Sequence, residues 1–207
     1  MMVGSLVAIL MAASLSALAQ SGPPGEFDGH DDVGAPAIAG SATYNAATKE
    51  YTVAAAGVNM WGTRDEFHFV WKRMTGDFTL EAKVELVGKG VNAHRKAGLM
   101  VRPNRDADAP YADGVVHGDG LTSLQFRRTQ GGITEEQRVT TSGAELVKLE
   151  RKGNTYTFSA AKSGEPFMTT ELADLALGDT VLVGLVVCSH DAAVTERAVF
   201  RDVKVTK

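Results

Sequence analysis

The sequence predicts an all-β protein, an antiparallel β-sandwich of about ten to twelve short strands. Three observations carry this. Apolar and polar residues alternate with period two in one segment after another, the mark of half-buried antiparallel strands. Turn residues recur at short intervals between those segments, and no stretch sustains a helical period. The segment 94–128 shows the pattern most clearly. In KAGLMVR, Ala97, Leu99 and Val101 share one side and Lys96, Gly98, Met100 and Arg102 the other; in LTSLQFRR, Leu124 and Phe126 oppose Ser123, Gln125 and Arg127.

Residues 3–19 are continuously apolar or small and end in Ala17-Leu18-Ala19, an A-x-A cleavage pattern, so residues 1–19 read as a signal peptide. A signal anchor is the competing reading, because no Lys or Arg precedes the apolar run, and the absence of a following cysteine speaks against a lipoprotein anchor. Residues 20–26 form a linker, and 27–207 one domain. Within it, residues 42–44 and 51–55 flank Asn45–Lys49 as a hairpin. EFHFVWKRM (66–74) places Phe67, Phe69 and Trp71 inward and Glu66, His68 and Lys72 outward. Thr75-Gly76-Asp77 turns the chain into 78–87, whose core face is Phe78, Leu80, Ala82, Val84 and Leu86. Further strands follow at 135–140, 144–151 and 155–162, the last two joined by Lys152-Gly153-Asn154, a hairpin signal. The one helix candidate is a short turn near Thr170–Leu177. TVLVGLVVCSH (180–190) is apolar on both faces and reads as a central strand, and 197–205 closes the chain.

The 207 residues carry a net charge of −4, which argues against the basic face a nucleic-acid binder needs, and no polybasic run suggests a membrane patch. Export places the mature chain, without a membrane span, in the secreted or periplasmic space. Cys188 is the only cysteine, so no internal disulfide supports the domain, and its apolar strand makes it a buried, inert thiol.

Several strings occur together: DVGAPAIAGSATY, MWGTRDEFHFVW, GDFTLEAKV, HRKAGLMVR, YADGVVHGDGLTSLQFRR, VKLERKGNTY, and VGLVVCSH with AVFRDV. As a set they resemble bacterial extracellular domains of the concanavalin A-like lectin/glucanase superfamily, in its enolase-regulation-protein-like branch. The resemblance covers nearly all of 27–205. It implies a jelly-roll of two curved antiparallel sheets whose concave face holds saccharide in relatives. That branch carries no assigned activity, so the resemblance speaks to fold more than to function.

Glucanases of that superfamily place acids at alternate strand positions, as E-x-D-x-E, so that two carboxylates flank one glycosidic bond. The nearest string is Glu81-Ala82-Lys83-Val84-Glu85, with lysine in the middle, while the consecutive Asp65/Glu66 and Glu135/Glu136 point to opposite faces. The hydrolytic motif is absent. The outward residues Glu66, His68, Lys96, Arg102, Gln125 and Arg127 instead predict a floor of hydrogen-bonding side chains, rimmed by Trp61 and Tyr111. Sugar recognition needs that combination of polar partners and aromatic platform. The competing reading is a solvated sheet face laced with ion pairs.

His117 joins the candidate set, with a hydrogen bond to neighbouring backbone as its alternative reading, and His190 reads as a strand cap. His117, Asp119 and His94 lack zinc-ligand spacing. Structural calcium fits better: Asp28, Asp31 and Asp32 offer hard oxygens in a glycine-containing loop, reached by Asp202 if the terminal strands pair. Asp106, Asp108 and Asp113 form a rival acidic loop. Neither Ser123 nor Ser189 sits in a nucleophile elbow, and Gly118–Leu121 opens no phosphate-binding helix. The expectation is therefore an exported, non-catalytic, carbohydrate-binding module. A glycan hydrolase with acids drawn from separate strands and a structural or protein-interaction domain are the alternatives.

Overall fold

A computed structural model describes residues 24–207; the expected signal peptide and residues 20–23 of the linker lie outside the described residues. Two seven-stranded antiparallel sheets pack face to face. Strands are numbered in chain order. The first sheet runs β1 (Gly29–Val33), β6 (Phe67–Thr75), β15 (Thr180–Cys188), β8 (Lys96–Arg102), β9 (Tyr111–His117), β10 (Thr122–Arg127) and β11 (Glu135–Arg138). The second runs β14 (Met168–Leu172), β13 (Thr155–Ala161), β12 (Leu146–Lys152), β7 (Phe78–Leu86), β16 (Asp191–Thr206), β3 (Glu50–Gly57) and β2 (Ser41–Asn45). A small hairpin of β4 (Met60–Trp61) and β5 (Arg64–Asp65) stands apart from both. This is the all-β antiparallel sandwich that the alternation and turn spacing predict, of two sheets as the resemblance implies. No helix of the described residues is long and apolar enough to cross a membrane.

The alternation of β7 is realised as read: Phe78, Leu80, Ala82 and Val84 are buried between the sheets, against Leu99, Val101, Leu124, Phe158 and Phe200. Gly114 on β9 lies against the second sheet with no room for a side chain, since a Cβ there would lie 2.1 Å from the Phe158 ring. β15 is central, between β6 and β8, as its two apolar faces require. Cys188 at its end is fully buried, donates towards the Glu66 carbonyl at 3.3 Å, and is pushed up by burial to about 11.

Four expectations are corrected. First, β8, β9 and β10 are not half-exposed; every residue in them is buried. A second apolar cluster covers the outer face of the first sheet: Phe67, Phe69, Met100, Tyr111, Val115, Leu182 and Val186 meet Met60 from the β4–β5 hairpin. Second, Phe67, Phe69 and Trp71 belong to this outer face, while His68 and Val70 turn towards the second sheet; pairing of Phe69 with Val186 and of His68 with Val187 fixes that orientation. Both faces of β6 are apolar enough to be buried, so period two alone could not say which looks outward. Third, residues 168–172 pair with β13 as an edge strand, and the stretch after Leu172 is irregular, so the short helical turn near Thr170–Leu177 does not form. Fourth, the terminal strands do not pair, because β1 lies in the first sheet and β16 in the second.

Candidate functional site

Register places the outer-face side chains of the first sheet in rows. Lys96 of β8 lies opposite His117 of β9, Gly98 opposite Val115, and Met100 opposite Asp113. On β10, Gln125 faces Asp113 and Arg127 faces Tyr111; on β11, Glu136 faces Gln125 and Arg138 faces Ser123. These rows divide into two regions with different chemistry.

The first is closed. Asp65, at the end of the β4–β5 hairpin, is fully buried between two guanidiniums. Arg127 grips it bidentately, at 2.8 Å to Oδ2 and 2.7 Å to Oδ1, and Arg102 adds a bond of 3.2 Å to Oδ2. Arg127 also donates to the carbonyls of Ala109 and Gly132 at 3.0 Å each and to Gly62 at 3.2 Å; Arg102 donates to Asp106 O at 2.6 Å. Tyr111 donates to Met60 O at 3.2 Å, its hydroxyl held above the ordinary range chiefly by burial. Burial pushes the Asp65 carboxyl up, and the two guanidiniums oppose that shift. This region is a clamp that fixes the hairpin, through Gly62 and Met60, onto the sheet.

The second region is open. A pocket of about 220 Å³ is lined by Asn59, Trp61, His94, Lys96, His117, Leu121, Gln125, Glu136, Arg138 and His190. Its floor is a continuous hydrogen-bonded chain. Lys96 Nζ donates to Gln125 Oε1 at 3.2 Å, Gln125 Nε2 donates to Glu136 Oε1 at 3.1 Å, and Arg138 Nε donates to Glu136 Oε2 at 2.7 Å. That chain fixes which way the Gln125 amide points. Burial opposes ionisation of Glu136, but the bonds from Arg138 and Gln125 outweigh it and hold the carboxyl below its usual range. His117 Nδ1 lies 2.9 Å from Leu121 O, so Nδ1 carries the proton and Nε2 faces Gln125 as an acceptor. Burial, reinforced by Lys96, lowers His117 to about 4 and keeps it neutral near pH 7. Beneath the floor, Asp113 is buried and, among the described residues, neither of its oxygens is hydrogen-bonded; burial raises its carboxyl and lowers the neighbouring Lys96 ammonium. At the mouth, Trp61 is 38% exposed, held there by the clamp that pins Gly62 next to it.

Of the sequence-predicted residues, Trp61, Lys96, His117 and Gln125 are brought together in this pocket. Arg102 and Arg127 are consumed by Asp65, and Tyr111 is fully buried beneath them rather than at a rim. Glu66 receives the Val58 amide at 3.4 Å and His68 bonds Asp32 at 2.7 Å and His30 at 2.9 Å; neither lines the pocket. Asn59, His94, Leu121, Glu136, Arg138 and His190 complete it without having been singled out as ligand-binding. Alternation in EEQR could have found Glu136 and Arg138, which share a face. Asn59 and His190 come from loops that carry no such signal.

The acids proposed to hold calcium are separated. Asp28 accepts the Arg73 amide at 2.8 Å, Asp31 pairs with Arg105 and with Trp71 Nε1, and Asp32 faces the other way to accept from Gly40 N. Asp202 lines a different pocket with Tyr44, Lys49 and Lys204. In the rival set, Asp113 sits on the outer face of β9, apart from the exposed loop of Asp106 and Asp108. No group of three or more His, Cys, Asp or Glu side chains among the described residues is placed to hold a metal ion.

No protein-family model matches the sequence, and no curated protein matches it. Solved structures do share the fold. A functionally unknown protein from Saccharomyces cerevisiae aligns at TM-score 0.63 and 17% identity, over 80% of this chain and 91% of that chain. The carbohydrate-binding module CBM66 from Bacillus subtilis aligns at TM-score 0.56 and 18% identity, over 88% and 98%. The lectin UEA-II, in complex with galactose, aligns at TM-score 0.52 and 10% identity, over 86% and 96%. At these identities the likeness is one of fold: the chain is a two-sheet antiparallel β-sandwich, the architecture these structures share.

Proposed function

We propose that this protein is an exported carbohydrate-binding module that takes saccharide in the pocket between Trp61 and the Lys96–Gln125–Glu136 chain. One observation carries the reading: an exposed indole stands over a floor of polar side chains already locked in orientation by one another. A sugar ring offers an apolar C–H face and a rim of hydroxyls, so its pocket needs an aromatic wall and preoriented hydrogen-bonding groups together. Preorganisation matters because side chains that are already ordered lose little entropy on binding. The folds shared with CBM66 and with a galactose-bound lectin support the ligand class. The apolar run before Ala17-Leu18-Ala19 supports export.

A hydrolase would need two carboxyl groups flanking the bound glycosidic bond. The pocket lining holds one, Glu136, and Arg138 and Gln125 engage both of its oxygens. This favours binding over turnover. Glycan-array screening followed by titration calorimetry tests the reading, with Trp61→Ala and Gln125→Ala as probes. Saccharide binding weakened tenfold or more by Trp61→Ala is expected. Absence of binding to any saccharide, or binding indifferent to Trp61→Ala, overturns it, and release of shorter oligosaccharides replaces it with an enzymatic role.

A further inference from the structure

The hydrogen-bonding balance of the pocket is one-sided. Each side-chain oxygen of the lining already has a partner: Gln125 Oε1 takes Lys96, Glu136 takes Gln125 and Arg138, and Asn59 Oδ1 takes the Met60 amide at 2.9 Å. The two basic side chains are not fully used. Lys96 is 2% exposed, yet among the described residues its ammonium makes one hydrogen bond, to Gln125, and an ammonium has three N–H groups to place. Asp113 does not take the other two, since both of its oxygens lack any partner. Among the described residues Arg138 uses Nε alone, on Glu136, and its terminal nitrogens make no hydrogen bond at this exposed position. A buried donor without an acceptor is costly, so the site is built for a ligand that supplies acceptors.

Charge points the same way. The pocket lining carries two basic side chains, Lys96 and Arg138, and one carboxylate, Glu136; Asp113 lies beneath the floor with its carboxyl raised by burial. A neutral sugar hydroxyl both donates and accepts, whereas an ionised carboxylate only accepts, in charge-assisted bonds of roughly twice the ordinary strength. We propose that the saccharide taken by this pocket carries a carboxylate, as a uronic acid does, with Lys96 as its anchor and Arg138 closing on it from the mouth. The inference rests on the carbohydrate-binding reading and narrows it to acidic glycans.

The test compares oligosaccharides of galacturonic, glucuronic and mannuronic acid with the methyl esters of the same chains, which keep the rings and linkages and remove the charge. Titration calorimetry on the full domain is expected to show at least one acid bound tenfold or more tightly than its ester, with that preference shrinking as NaCl rises. Arg138→Gln, at an exposed site where folding is not at stake, is expected to cut the preference several-fold; Lys96→Gln, checked for folding by its thermal melt, is expected to abolish it. Equal binding of acids and esters overturns the acidic inference while leaving the saccharide reading intact. A preference that survives both variants overturns the assignment to Lys96 and Arg138. Failure of every saccharide, acidic, esterified or neutral, overturns both readings together.

Discussion

Asp65 is the residue on which the clamp, and through it the pocket, depends. Two fully buried guanidiniums share its one carboxylate, so the cluster carries a net positive charge, offset by the carbonyls of Gly62, Asp106, Ala109 and Gly132. Removing the carboxylate leaves two uncompensated cations out of water. Breaking a buried pair in this way costs about 3–5 kcal/mol, which for a domain of this length corresponds to roughly 10 °C in melting temperature. Asp65→Asn adds an amide donor facing guanidinium donors, so little of that loss is recovered. Arg102→Met behaves differently. It removes the excess cation, leaves the bidentate Arg127–Asp65 pair in place, and fills the space with an apolar chain beside Phe67 and Met100. Its cost is expected to stay below about 1.5 kcal/mol. Urea melts of both variants at pH 7 measure the asymmetry. Equal losses for Asp65→Asn and Arg102→Met would refute the charge accounting, because they would show that packing rather than the carboxylate holds the cluster. Asp65→Asn is also expected to weaken saccharide binding, since the carbonyl of Gly62, beside Trp61, is held by Arg127.

Other perturbations read other parts of the structure. His117 is buried and neutral, lowered to about 4 against about 6.5 when unfolded, so the unfolded chain takes up its proton first as pH falls. Stability is therefore expected to drop between about pH 6.5 and 4, by about 3 kcal/mol from this residue. His117→Gln should flatten that part of the urea-melt profile relative to the parent; parallel profiles would remove His117 as the cause. Gly114→Ala places a methyl group against the Phe158 ring and is expected to cost about 1–3 kcal/mol in thermal melts. Pairing it with Phe158→Leu should cost less than the sum of the two single changes, and strict additivity would show that the two sites do not touch.

The fold was legible because its signal is repetitive. β7, β12 and β15 each state in their own residues which faces are buried, and the turn at Lys152-Gly153-Asn154 joins β12 to β13 directly. The short strands were not legible. β1 spans only Gly29–Val33, reads as an acidic loop, and is a strand because β6 offers it an edge; β4 and β5 have two residues each. The site was half legible for a related reason. Alternation correctly put Lys96, Arg102, Gln125 and Arg127 on one face, but it cannot show that a hairpin far off in sequence will cover half of that face.

That covering decides what the polar face does. An ion-pair lattice and a ligand floor look alike in sequence, because both place Arg, Lys and Gln at alternate positions of apolar strands. They differ in whether each charge finds its partner within the chain. Arg127 finds five, counting Asp65 and the carbonyls and hydroxyl around it, and so becomes part of the scaffold. Among the described residues Lys96, on the same face, finds Gln125 alone, while Asp113 below it finds none. The two halves of the face therefore differ: the Asp65 cluster fixes the hairpin that carries Trp61, and the Lys96 half keeps the hydrogen-bonding capacity on which the proposed saccharide site rests.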